Sequence, residues 1–479
     1  MKKRIVALLL MATMLLGIVA LTGCGEGKSN NANAEPNFVV PEAGFNPDEA
    51  VTITFKHTMG ANLQEVLNRY IEEFNKIYPN ITIEHSSAGG WGDINGQINT
   101  EITGGNQPNI AYCYPDHVAM YNIAKSVVTL DNLINSDFVI SGTNEVLGLT
   151  TEQKADFIES YYNEGLVYGD GLMYTMPLNK STEVLYYDKT FFEANGLKVP
   201  TTWEEMWEVC RQIKALTPEK DYPLGYDAED NWFITLCEQM GSGYTSATGD
   251  HYLFDNEINR NMVKELRGYY QEGLFTTQEL YGSYTSNLFV NQKPGEARCY
   301  MCIGSSGGAS YQMSNKGTTD GSFAFEVGVA PIPQFDANNK KVISQGPSLC
   351  ILKGKDTTDQ QIMASWLFVK FLCTNVEFQA EFSMASGYMP VLKSVTENEH
   401  YAKWLEKANG YENLVAKCVQ IGIEGRDTYF VSPAFNGSST ARTQVGALLL
   451  KVLSDELNGG SLDDLIDDAF QDAMDECEY

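Results

Sequence analysis

The sequence predicts an α/β protein built as two lobes with a cleft between them. Three observations carry this. VTITFKH (51–57) alternates apolar and polar residues, NLQEVLNRYIEEFNKIYPNI then places apolar side chains at helical spacing, and ITIEHSS follows as a second strand. Strand, helix and strand in close succession give parallel pairing in one sheet. WGDINGQINTEITGGNQPNIAYCYPD repeats the pattern, with a helix, a Gly-Gly stop and a strand ending at Pro115-Asp116. The part of the chain that reads as folded runs to about 430 residues, more than one hydrophobic core of ordinary size holds. Open α/β sheets take ligands beyond the carboxyl ends of their strands, so paired lobes place a site in the crevice between them.

The elements follow in order. Lys2, Lys3 and Arg4 precede an almost wholly apolar run over 5–21 that ends in Leu-Thr-Gly-Cys. The run is short for a membrane span, which needs ~20 residues, and its flanks are those of a secretory leader over 1–23. Residues 24–47 are small, polar and proline-punctuated, and predict a flexible tether. After the opening β-α-β unit, Glu183–Tyr187 reads as a strand, and Thr202 with Glu205 forms a capping box that starts the helix over WEEMWEVCRQIKAL. RCYMCIGSSGGASYQMSNK reads as strand, Gly/Ser turn and helix. FEVGVAPIPQF and ISQGPSLCIL read as strands, and DQQIMASWLFVKFLCT as a helix. The last helix, LDDLIDDAFQDAMDECEY, carries Leu462, Leu465, Ile466, Ala469, Phe470, Ala473 and Met474 on one stripe and its aspartates on the other face. Those aspartates lack the D-x-D-x-D-G order of a calcium loop and read as a solvated surface.

Composition excludes several function classes. At 43% hydrophobic and 11% aromatic the chain folds rather than stays disordered. A formal charge of −29, more negative still once the basic leader is removed, argues against nucleic acid and against lying flat on anionic lipid. With Cys24 set apart, nine cysteines remain, an odd number, so at least one thiol is free or pairs between chains. Most sit in apolar strings and read as small buried hydrophobes. Cys299-Tyr-Met-Cys302 has no second pair at zinc spacing, and in a strand positions i and i+3 point to opposite faces, so no metal site is expected.

GSSGG (304–308) supports two readings. As G-x-S-x-G centred on Ser306 it has the strand–turn–helix context of a hydrolase nucleophile. Such an enzyme needs a later histidine, which leaves only His400, and it needs an oxyanion segment that the sequence does not offer. As a Gly/Ser turn it lets backbone approach a ligand closely and presents hydroxyls and free N–H groups to hydroxyl or phosphate oxygens. A glycosidase carboxylate pair cannot be picked out of 62 acids.

Several segments together resemble one family. They are HTMG, NKSTEVLYYDKTFFEANGLKVPTTWEEM, YDAEDNWFITLCEQMG, CIGSSGG, VGVAPIP, GPSLCIL, SGYMPVLKS and GSSTARTQVG, in family order from about residue 50 onward. The chain resembles the extracellular solute-binding proteins, family 1, of carbohydrate-importing ABC transporters, with its nearest likeness to the glycerol-3-phosphate-binding type. The resemblance implies a two-lobed periplasmic-binding-protein-like class II fold with central sheets and crossings near 183, 325 and 376. The N-lobe is then 48–182 with 325–375, and the C-lobe 183–324 with 376–479. It implies a ligand set of Trp91, Asp116, Ser181, Thr182, Trp232, Ser305, Ser306, Gly346, Tyr388 and Arg442. An aromatic covers the C–H face of a sugar, Asp116 accepts from hydroxyls, and Arg442 offers a fork of donors to a phosphate or to paired hydroxyls.

The chain is therefore expected to be a binding protein and not an enzyme, with no cofactor and no metal. It captures a sugar or oligosaccharide, with glycerol-3-phosphate or a glycerophosphodiester as the alternative and the Ser306 hydrolase as a remote one. Its partners are ABC permease subunits and, through them, a cytoplasmic ATPase. It is a monomer that binds no nucleic acid. Leu-Thr-Gly-Cys resembles a bacterial lipobox, which implies cleavage before Cys24, a diacylglyceryl group on its thiol, palmitate-type acylation, and residence on the outer face of the cell membrane.

Overall fold

The computed structural model describes residues 34–315, 322–410, 413–457 and 459–478. The leader, Cys24 and the lipid attachment expected there lie outside the described residues. From Pro36 onward the chain is one unit.

The expected tether is corrected from Pro36 on. Phe38 and Phe45 are buried in the first core. The Asn37 side chain donates to the Val127 carbonyl at 2.7 Å and accepts the Thr129 N–H at 3.0 Å. Two aromatic side chains in an otherwise polar stretch are enough to strap it down.

The opening unit forms as its periodicity requires: β1 (Val51–His57), α1 (Ala61–Ile77) and β2 (Ile81–Ser87), with β1 and β2 parallel in register Val51↔Ile81. On α1, Leu63, Val66, Leu67, Tyr70 and Phe74 are buried on one stripe. Next come α2 (Trp91–Gly104) and β3 (Ile110–Cys113), and Gly105 closes α2 in the left-handed conformation that glycine adopts without cost. A short helix, α3 (Pro115–Tyr121), starts on a proline at its first turn. The first sheet has five strands in the order β2-β1-β3-β11-β4, where β4 is Met176–Pro177 and β11 is Ser348–Ile351.

The second sheet is built on β5 (Ser181–Asp188). It receives β8 (Cys299–Ser305), β9 (Val327–Pro331) and β10 (Val342–Gln345) antiparallel to β5, and extends through β6 (Tyr222–Tyr226) and β7 (Phe275–Thr277). Helices α4 (Trp203–Leu216) and α5 (Glu229–Met240) pack on it, with Thr202 and Glu205 in the expected capping box. Helices α6 (Asp359–Thr374) and α7 (Val376–Ser386) return to the first core. Helices α8 (Ser438–Ser454) and α9 (Leu462–Glu478) complete the second.

The first crossing runs through 178–181, close to the expected 183. The other two move. The strand Val327–Pro331 pairs with β5 over five residues, so the chain stays in the second sheet past 325 and crosses at Gly346-Pro347. Phe378, Phe382, Val391 and Tyr401 are buried in the first core, so the last crossing follows Tyr401 rather than 376. Lobe membership is set here by strand pairing and by where aromatic side chains bury, and neither leaves a break in the sequence.

The nine cysteines after Cys24 are all free and buried. Cys299 and Cys302 are not separated to opposite faces. One residue reaches both, as the Thr285 carbonyl lies 3.7 Å from the Cys299 sulfur and its hydroxyl 3.2 Å from that of Cys302. Burial raises both thiol pKa values. Among the described residues no cluster of His, Cys, Asp and Glu is arranged to hold a metal. The turn after β8 continues as a 3-10 helix, Ser306–Gln312, and not as an α-helix.

Candidate functional site

The carboxyl ends of β3 and β6 feed the N-termini of α3 and α5, and these bring charged groups together with Arg442 of α8. The Arg442 Nε donates to Asp116 Oδ2 at 3.0 Å, and Nη1 donates to Asp230 Oδ2 at 3.3 Å and to Asn231 Oδ1. Asp116 belongs to the first lobe, Arg442 and Asp230 to the second, so the guanidinium spans the cleft. Beside it the Asn95 amide donates to Ser439 Oγ at 3.2 Å, again from first lobe to second. Burial alone raises the Asp116 carboxyl, but Arg442 and His117 outweigh it and hold the pKa below the ordinary value. Burial opposes the charge on Arg442, and Asp116 with Asp230 more than restores it.

Two further carboxyls sit under this clasp. Glu183 is buried in β5 and accepts from the Tyr226 hydroxyl at 2.6 Å. Burial first, and then Asp230 and Asp227, push its pKa up to about 8 against the lowering effect of that bond. Asp227 accepts from the Thr285 N–H at 2.8 Å and hydroxyl at 2.9 Å, and burial pushes it up to about 6. Between Asp227 and Glu229, Ala228 adopts φ 63° and ψ 80°. A non-glycine residue there costs ~1 kcal/mol or more, and the bend sets Asp227 and Asp230 on either side of it.

Aromatic rings form the wall. Trp91 stacks on Tyr114 at 4.2 Å and lies over Tyr112 at 5.9 Å. The Tyr388 phenol is close enough to those of Tyr112 and Tyr114 to disfavour their ionisation. Gly307 presses flat on the Tyr388 ring, since a Cβ there would meet the ring at 2.7 Å, and a Cβ on Gly387 would meet the Ser306 carbonyl at 2.4 Å. The GSSGG turn of the second lobe and the GYMP turn of the first therefore touch backbone to side chain.

Of the expected set, Trp91, Asp116, Tyr388 and Arg442 come together with Ser305, whose strand partner is Glu183. Four others pack the crossing. Thr182 donates its hydroxyl to the Ile343 carbonyl at 3.0 Å and its N–H to Ser306 Oγ at 3.3 Å, and both Thr182 and Ser306 are buried. Ser181 is buried and pairs with Gln345. Gly346 takes φ +98° against the backbone of Asn179, Lys180 and Ser181. Trp232 is placed elsewhere: it is fully buried in the second core, stacked on Tyr226 at 4.4 Å and edge-on to Phe275. The face of α5 that carries it points inward, and its neighbours Asp230 and Asn231 reach Arg442 instead. Ser306 is fully buried and His400 lies exposed on the helix Glu399–Leu405, so the nucleophile context expected for a hydrolase lacks an accessible hydroxyl.

Sequence reasoning missed Tyr114, Glu183, Asp227, Asp230 and Asn231. Two signals were available. Glu183 is the one acid inside the apolar stretch VLYY and its preceding STE, and Asp227 with Asp230 follows directly on a strand, where open sheets place ligand groups.

The profile of the bacterial extracellular solute-binding proteins matches residues 69–409. The chain belongs to that family. It is similar to the sn-glycerol-3-phosphate-binding periplasmic protein UgpB of Rhizobium meliloti, with 27% identity over 269 residues, 53% of this chain and 57% of that one. It is also similar to the multiple sugar-binding protein of Streptococcus mutans, with 24% identity over 230 residues, 47% of this chain and 46% of the relative. The chain thus spans about half the length of each of these relatives. The fold matches that of UgpB from Mycobacterium tuberculosis in complex with glycerophosphocholine, with a TM-score of 0.68, 17% identity, and coverage of 89% of this chain and 98% of that one. The solute-binding fold accounts for the two sheets and the clasped cleft. Among the described residues no helix is long and apolar enough to cross a membrane.

Proposed function

We propose that this chain captures a sugar or oligosaccharide in the cleft between its lobes and delivers it to a membrane permease driven by a cytoplasmic ATPase. The observation that carries the reading is the clasp. Arg442 of one lobe bonds Asp116 of the other beside the Trp91–Tyr114 stack, so the same movement that separates the lobes opens a site lined with hydroxyl acceptors and aromatic faces. Carboxylates and amides hydrogen-bond sugar hydroxyls, and the indole covers the ring's C–H face. The lobes are 36–180 with 347–405, and 181–346 with 413–478. No bond of the solute is made or broken. A lipid on Cys24 keeps the mature chain on the outer face of the cell membrane.

A second reading, sn-glycerol 3-phosphate, draws support from the named function of the Rhizobium meliloti relative. Thermal shift against neutral sugars, sugar phosphates and glycerophosphodiesters tests both readings. A bound solute raises stability by RT ln(1 + [L]/Kd), ~2.7 kcal/mol at a hundredfold excess over Kd. Turnover of a solute by the purified protein would overturn the reading, as would a shift that survives loss of both Trp91 and Asp116.

A further inference from the structure

The charge in the cleft is unbalanced. Asp116 of the first lobe and Asp230 of the second converge on Arg442, and Asp227 and Glu183 lie on the second-lobe side of the clasp, Glu183 keeping its proton at neutral pH because burial pushes its pKa up to about 8. Asp116 and Asp230 already exceed its charge. Asp227 is met by the neutral donors of Thr285, and Glu183 by a single phenol. The fork is also partly engaged: Nε is held by Asp116, and Nη1 by Asp230 and Asn231. An arginine so engaged joins the lobes, and two carboxylates already meet its single charge. A phosphate dianion here would meet more negative charge than positive in a partly buried site, where charges are weakly screened.

A second observation is independent of the carboxylates. His117 Nδ1 and the Tyr112 hydroxyl, both on residues more than nine-tenths buried, have no hydrogen-bond partner. His117 lies within the field of Asp116 and Arg442, and both rings pack beside Trp91. His117 stands beside the clasp and Tyr112 behind Trp91 in the first core, and polar groups left so are costly unless something meets them.

Resting on the solute-binding reading above, we propose that the solute is a hydroxylated molecule carrying a protonated amine, such as an amino sugar, and not a sugar phosphate. The ammonium group sits beside Asp227 and Asp230 and supplies the missing positive charge. The Trp91–Tyr114 stack presents a π face that favours a cation and covers the apolar side of the ring. The hydroxyls reach Asn231, Ser305 and, as the lobes part, the orphaned His117 group.

The test uses β-1,4-linked oligomers of glucosamine, N-acetylglucosamine and glucose, which differ in the 2-substituent alone, together with sn-glycerol 3-phosphate. Affinity is measured by calorimetry below the amine's pKa. The glucosamine series should bind about tenfold or more tighter than the glucose series, a ratio that corresponds to ~1.4 kcal/mol. The ratio should shrink as salt is raised, and it should shrink in Asp227→Asn, whose side-chain oxygen can still accept from Thr285. The salt series needs no variant, so it stands even if Asp227→Asn folds poorly. Equal or tighter binding of the neutral or acetylated sugar, or tightest binding of the phosphate, overturns this proposal and leaves solute capture intact. Silence from every neutral, amine-bearing and phosphate-bearing solute overturns solute capture, and this proposal with it.

Discussion

Lys180 is fully buried where the chain first passes from one lobe to the other. Its ammonium is paired with Glu164, itself 4% exposed, and lies 3.3 Å from Ser348 Oγ, which donates to the same carboxylate oxygen at 3.3 Å. The Lys180 backbone exchanges two hydrogen bonds with Met389, at 2.9 and 2.6 Å. One residue thus ties the first crossing to β11 and to the GYMP turn. Replacing it by methionine keeps the volume but leaves Glu164 charged and buried with one hydroxyl, which costs about 3–5 kcal/mol. Replacing both partners, Lys180→Met with Glu164→Leu, removes the stranded charge and leaves only the Ser348 hydroxyl unsatisfied, ~1–3 kcal/mol. The double variant should therefore be more stable than the single one by about 2 kcal/mol. Urea unfolding followed by far-UV circular dichroism and tryptophan fluorescence reads both variants, and a separate transition for each lobe would localise the loss. A single variant within about 1 kcal/mol of wild type, or a double variant as weak as the single, would refute the reasoning.

The same geometry sets four other outcomes. Gly346→Ala forces a Cβ to within 2.7–2.8 Å of the backbone of Asn179, Lys180 and Ser181 at a positive φ, which should cost about 2 kcal/mol or more in chemical denaturation. Ala228→Gly relieves the left-handed strain beside Asp227 and should stabilise by ~0.5–1 kcal/mol in the same assay, since glycine adopts that conformation freely. Arg442→Ala leaves Asp116 and Asp230 facing each other without their cation; it should cost ~2 kcal/mol, and small-angle scattering should show a larger radius of gyration in the solute-free protein. Glu183 binds its proton more tightly folded than unfolded, so stability falls as pH rises from the ordinary carboxyl range to about 8; His57, buried and pushed down to about 4 by burial and then by His85, acts the other way below its ordinary 6.5. Above about pH 6.5 the Glu183 contribution stands apart from that of His57, and Glu183→Gln should flatten the fall in melting temperature between there and pH 8.

The local elements were legible because their causes are local. The alternation in VTITFKH, the stripe on α1, the Thr202–Glu205 box and the Gly105 stop each act within a few residues, and each forms as read. The site was legible in part. Asp116 and Arg442 are far apart in sequence and meet at 3.0 Å; the family resemblance pointed to each as a ligand contact, but neither it nor any spacing foretold that they bond each other. Trp232 shows the limit. On α5 it stands next to Asn231, and a rotation of one residue about the helix axis separates the cleft from the core.

Residue order alone specifies an α/β chain with parallel opening strands, a basic start followed by an apolar run up to Cys24, a strongly acidic composition, and thiols placed in apolar surroundings. Long-range packing settles where the chain changes lobes, which carboxyls converge on Arg442, and which face of each helix turns to the cleft. The difference is physical. Helix and strand periodicity arise from short-range sterics and burial, whereas crossings and charge clusters depend on contacts between segments hundreds of residues apart. Their free energy arises only once the cores at Phe378 and Tyr401 and the pairing of β9 with β5 have fixed where each segment ends.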